Sequence, residues 1–179
     1  MPDVFMYADE TGNLDYQEHQ GASTYFGVGT AVFSGSHSEA LGGGLTLRAD
    51  LAAAGVKLRR GFHAVDDSKA VRSQVFDLIR RQRPRFDATF LYKRNAYTSV
   101  RQRGQVYLFK TAWYQHFKVI SEQVSQPGDR LFVVVATLGT NKRRALFEAA
   151  LDDVCVRQGS AARTVVLCHW DSASSWGAR

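Results

Sequence analysis

Leu131-Phe132-Val133-Val134-Val135-Ala136 is an unbroken apolar run, half of it valine. A strand with no polar alternation is consistent with the middle of a covered sheet. Its flanks supply the helices. From Gln105 to Val124 the set Val106, Phe109, Trp113, Phe117, Ile120 and Val124 recurs at helical spacing, and Pro127-Gly128 closes the segment. Lys142 to Arg157 reads as a second helix that packs through Ala145, Leu146, Ala149, Ala150, Val154 and Val156. Arg163 to His169 is a last strand.

The first half has a different rhythm. Val4 to Ala8 reads as a strand that stops at the turn Asp9-Glu10-Thr11-Gly12-Asn13, and Thr24 to Phe33, rich in aromatic and β-branched residues, can return beside it as a hairpin. Glu39 to Ala54 has helical patterning, but Gly42-Gly43-Gly44 should weaken or break it. Arg60 to Ala64 is expected to be a short strand or extended segment, with Asp66-Asp67-Ser68 capping a helix that carries Val71, Val75, Leu78 and Ile79 and ends before Pro84. Phe86 to Tyr92 alternates as a strand does. Hairpin strands followed by strands separated by helices predict an α/β fold with a mixed sheet flanked by helices. With 179 residues, 45% of them hydrophobic, the chain can fill one core, and residues 1–179 are read as a single domain.

Several function classes drop out. The apolar runs are too short to span a bilayer, and the N-terminus shows no secretory pattern, so a cytoplasmic protein is expected. Cys155 and Cys168 lack zinc-ligand spacing and are expected to be buried, inert thiols. The glycines lack the strand-loop-helix context and following Lys-Ser or Lys-Thr of a nucleotide-binding loop. The net charge of +6 is clustered, in Lys57 to Arg60, Arg80 to Arg85, Lys93-Arg94, Arg101 to Arg103 and Lys142 to Arg144. Such clusters suit a polyanion and also suit solvated helix faces.

The tandem acids Asp9 and Glu10 are the leading chemical feature. Carboxylates beside an apolar strand need a cation or hydrogen-bond donors to offset their desolvation, which points to a hard metal ion; the alternative is an ordinary hairpin turn. Asp171 leaves the last strand and is the candidate third acid, with a turn or helix cap as its plain role. Asp66 and Asp67 read better as helix caps than as ligands. His63 and His169 are read as structural histidines before proton carriers, and Lys110 as a solvated helix lysine before a phosphate contact.

In order along nearly the whole chain, Tyr7 to Asn13, Tyr25 to Val32, Phe62-His63-Ala64 with Asp66-Asp67, and Tyr107 to Lys110 resemble the bacterial family called domain of unknown function 3800. That resemblance implies a ribonuclease H-like fold and a Mg²⁺- or Mn²⁺-dependent nuclease, with Asp9 as the metal ligand on the first strand and Glu10 as a ligand or its neighbour. It also implies a closing helix bearing a Gln-x-Ala-Asp pattern, whereas this sequence ends at Trp176-Gly177-Ala178-Arg179, so a C-terminally truncated domain with weak or no activity is expected. Ribonuclease H-like sites also tend to place an acid at the end of the fourth strand, and here the matching region reads Val135-Ala136-Thr137-Leu138-Gly139-Thr140, where no carboxylate stands. Two-metal cleavage needs carboxylates enough for two cations about 4 Å apart. The competing expectation is a non-catalytic nucleic-acid-binding or protein-interaction domain of a mobile-element or phage-response system; a third is a homo-oligomer in which a second copy fills an exposed edge.

Overall fold

The computed structural model describes residues 2–16, 21–58, 61–136, 141–158 and 163–170. Among the described residues five strands, β1 (Asp3–Thr11), β2 (Tyr25–Ser34), β3 (Arg85–Tyr92), β4 (Arg130–Ala136) and β5 (Thr164–Trp170), form one sheet in the order β3-β2-β1-β4-β5. The first three strands form an antiparallel meander, while β4 and β5 run parallel to β1. The helices are α1 (Ser38–Ala53), α2 (Lys69–Gln82), a short α3 (Thr98–Gln102), α4 (Gly104–Val124) and α5 (Asn141–Gln158). An antiparallel hairpin pair, a central first strand and two parallel strands reached through helices make this the ribonuclease H-like α/β arrangement. The α1–α2 pair is an insertion between β2 and β3.

Register divides the side chains between two faces. Val4, Met6, Ala8, Val28, Val32, Leu131, Val133 and Val135 point to the face covered by α4 and α5, which bury Phe109, Trp113, Phe117, Phe147 and Val154 against them. Phe109 meets Phe147 edge-on at 4.8 Å between ring centroids, and Lys110 pairs with Asp153 across the same helix contact. The opposite face carries Phe5, Tyr7, Phe33 and Phe132, and His37, at the start of α1, packs on three of those rings.

Three expectations need correction. The first strand does not stop at Ala8: pairing with β2 carries it through Asp9 and Glu10 to Thr11, and the turn begins at Gly12. The three glycines do not break α1, which runs through them without interruption; Gly43 instead brings α1 close to α2, where a Cβ would stand 3.2 Å from Leu78 Cδ1. Residues 61–64 form no strand; of this stretch as predicted, Arg60 lies outside the described residues. Among the described residues no helix is long and apolar enough to cross a membrane.

Candidate functional site

Strand alternation separates the tandem acids. Asp9 is exposed on the face shared with Tyr7, whereas Glu10 follows Met6 and Ala8 toward α4. The Asp9 carboxylate accepts the Glu10 backbone N–H at 2.9 Å, and Glu10 Oε1 accepts the Trp113 indole N–H at 3.2 Å. Among the described residues the buried Glu10 Oε2 has no hydrogen-bond partner. Burial pushes this carboxyl up to about 8, the nearby Asp9 charge adds to the rise, and the Trp113 bond opposes it. A carboxyl so displaced beside a second acid is a recognised mark of a chemical site.

Both acids sit where β1 has outrun β4, whose ladder with β1 ends at Ala8 and Val135. The loop that follows is held firmly. Gly12 has φ +85°, and a Cβ there would lie 2.3 Å from the Tyr25 carbonyl oxygen, so the turn demands glycine. Lys93, only 6% exposed, follows β3 and directs its Nζ at the Asn13 carbonyl (3.1 Å), Asn13 Oδ1 (3.0 Å), the Asp15 carbonyl (2.7 Å) and Ser23 Oγ (3.1 Å). Burial lowers the pKa of this ammonium, but the surrounding oxygens answer its charge with hydrogen bonds. Lys93 appears in the sequence as one member of a basic cluster; only the packing shows it to be an internal tie.

A second polar group lies along α4. His116 is fully buried, its Nε2 2.9 Å from Thr30 Oγ1 and its Nδ1 2.9 Å from Thr89 Oγ1. Burial lowers its pKa, with Asp87 opposing. Both ring nitrogens are occupied, so His116 fastens β2 and β3 to α4. Its apolar surroundings in the helix pattern gave no sign of this.

The other candidates disperse. Asp171 lies outside the described residues, as does the side chain of His169. His63, Asp66 and Asp67 form a local exposed turn, in which Asp67 Oδ2 accepts the His63 backbone N–H at 2.7 Å and His63 Nδ1 stands 3.4 Å from Asp66 Oδ2. The α2 cap is Ser68, whose Oγ accepts the Val71 N–H. Lys110 pairs with Asp153 of α5. Cys155 is buried, and burial pushes its thiol up to about 12; Cys168 is half-buried. Among the described residues no three His, Cys, Asp or Glu side chains gather as a metal-binding group.

On the outer face, Asp9 stands at the inner end of a trough of about 580 Å³. Register explains its shape: the row Asp9, Gly29, Ala88 gives a low floor, and the adjoining rows Tyr7, Ala31, Phe86 and Thr11, Gly27, Phe90 give its walls. Arg81, Arg83 and Arg85 line a larger groove, of about 1010 Å³, at the start of β3. Comparison with protein-family models and with curated proteins gives no match.

Proposed function

We propose that this chain is a metal-dependent, nuclease-like protein of the domain-of-unknown-function-3800 type, acting in the cytoplasm on nucleic acid phosphodiesters. The observation that carries the reading is the buried Glu10 Oε2, without a hydrogen-bond partner among the described residues, next to Asp9 at the C-terminal end of the first strand of a ribonuclease H-like sheet. The exposed Asp9 carboxylate is an oxygen donor of the kind a hard cation takes, and Glu10 lies on the other face of the strand beside it. Asp9 would hold Mg²⁺ or Mn²⁺ together with Asp171, and Glu10, whose side chain turns to the opposite face, would stand behind Asp9 as its neighbour rather than as a ligand. A bound divalent ion supplies Lewis acidity toward a phosphoryl oxygen and lowers the pKa of water. Asp9 offers an exposed carboxylate to the ion, while Trp113 fixes Glu10 Oε1 and leaves Oε2 to hold or release a proton. The basic clusters would bind phosphates without reading sequence.

The gathering of only two acids among the described residues favours a second reading, a binding domain without catalysis. Incubation with single-stranded, duplex and hybrid nucleic acids in Mn²⁺ or EDTA, beside an Asp9→Asn variant, separates them. The nuclease reading expects Mn²⁺-dependent cleavage that Asp9→Asn abolishes. Binding indifferent to both Mn²⁺ and the substitution, with no cleavage, would overturn it. Thermal melting adds a readout independent of turnover: Mn²⁺ should raise the Tm of the unaltered chain and leave Asp9→Asn unmoved.

A further inference from the structure

Phe86 and Phe90 are each 59% exposed, on the outer face of an edge strand, with the exposed Ala88 between them. Large rings at the edge of an open sheet are costly to leave in water and invite pairing or aggregation unless they serve a partner. Their setting is built rather than incidental. Gly27 leaves the space beneath Phe90, since a Cβ there would lie 2.7 Å from the ring, and Gly29 with Ala88 keeps the floor between the rings low all the way to Asp9. Tyr25, 51% exposed and 5.2 Å from the Tyr92 ring, extends the aromatic surface beyond Phe90.

Positive charge lies beyond the Phe86 wall. Arg81 and Arg83 line the groove at the start of β3, whereas the Arg85 guanidinium turns to Asp87 and to Gln123 of α4; Arg85 marks that groove as three residues along β3 from the Ala88 row, about 10 Å at strand rise. Flat apolar rings flanked by guanidinium groups match unpaired bases and their phosphates. A duplex keeps its bases stacked inside and would leave Phe86 and Phe90 unused. A protein partner would answer the rings but not the arginines.

We propose that the outer face of β3 is a single-stranded nucleic acid platform, in which Phe86 and Phe90 stack on unpaired bases and Arg81 and Arg83 hold the phosphates, leading the strand past Asp9. The assignment rests on the nucleic-acid reading above and narrows its substrate to single strands.

The test is fluorescence anisotropy of labelled single-stranded and duplex oligonucleotides with the full chain in EDTA. Three proteins are compared: unaltered, Phe86→Ala with Phe90→Leu, and Arg81→Ala with Arg83→Ala. Leucine at 90 keeps Gly27 covered, and circular dichroism checks that each variant folds. The aromatic variant should bind single strands about tenfold or more weakly, with duplex binding little changed and the salt dependence intact. The arginine variant should flatten the slope of log K against log salt by about 0.7 for each phosphate it no longer neutralises. Single-strand affinity within twofold of the unaltered chain in the folded aromatic variant overturns the platform, as does no single-strand binding by the unaltered chain. So does a dimer that the aromatic substitutions dissolve while oligonucleotide affinity stays constant, which would make this edge an interface between copies. Binding is measured without metal, so loss of the platform and loss of the nuclease reading are separate results.

Discussion

At the scale of the residue, Glu10 couples the candidate site to stability. Its carboxyl is raised to about 8 in the fold from 4.5, so the folded chain retains a proton that the unfolded chain releases. Stability from this group is therefore complete below about pH 4.5 and is lost as pH climbs to about 8. His116 works in the opposite direction: its folded pKa is lowered from 6.5, so its contribution is present above that value and declines in acid. Glu10→Gln mimics the protonated carboxyl and keeps the acceptor for Trp113. We expect it to match the unaltered chain near pH 5 and exceed it at pH 9 by about 1–3 kcal/mol, a range typical of an unsatisfied buried polar group. Denaturant melts at the two pH values check this, and equal stability at pH 9 would contradict the burial of the charge. The acids themselves were legible in the sequence, being two carboxylates after an apolar strand. Their separation to opposite faces, and Lys93 as the tie behind them, were not, because both depend on where β2 and β3 place their partners.

At the scale of the element, local propensity and packing disagree in α1. Three consecutive glycines weaken an isolated helix, yet α1 runs from Ser38 to Ala53 without a break, and Gln82 Nε2 donates to the Ala40 carbonyl at 2.7 Å from α2. Gly43 is explained by its close approach to Leu78, whereas a Cβ at Gly42 or Gly44 would meet nothing within 4 Å. Gly42→Ala and Gly44→Ala should therefore each stabilise the chain by about 0.5–1 kcal/mol through backbone entropy. Together they should raise the opening free energy of α1 by about 1–2 kcal/mol. Native-state hydrogen exchange of the α1 amides decides; no rise would mean that α1 is not stabilised through its backbone entropy. The long helix α4 shows the converse case. Its apolar stripe, from Val106 to Val124, fixed both its type and its limits closely, since a helix buried on one side must repeat at that period.

At the scale of the whole molecule, the sheet and the α1–α2 insertion differ in how much they bury. β1 and β4 lie inside the sheet beneath α4 and α5, with Met6, Leu131 and Val133 fully buried. The insertion leaves Leu41, Leu45 and Phe76 exposed and buries Leu51 and Val71; at the sheet, Tyr7 Oη stands 2.6 Å from His37 Nε2. Native-state hydrogen exchange should show α1 and α2 opening locally, well below the global unfolding energy that protects β1, β4 and α4. Equal protection throughout would show one indivisible unit. The sequence alone determined the mixed α/β class, the long helix, the strand Leu131 to Ala136 and the pair of acids, because period and residue type are local properties. Only the tertiary structure decided that those acids are strand residues facing opposite sides, one buried against Trp113 and one open to the trough. Strand length and facing are set by register with β2, and register is a property of the assembled sheet.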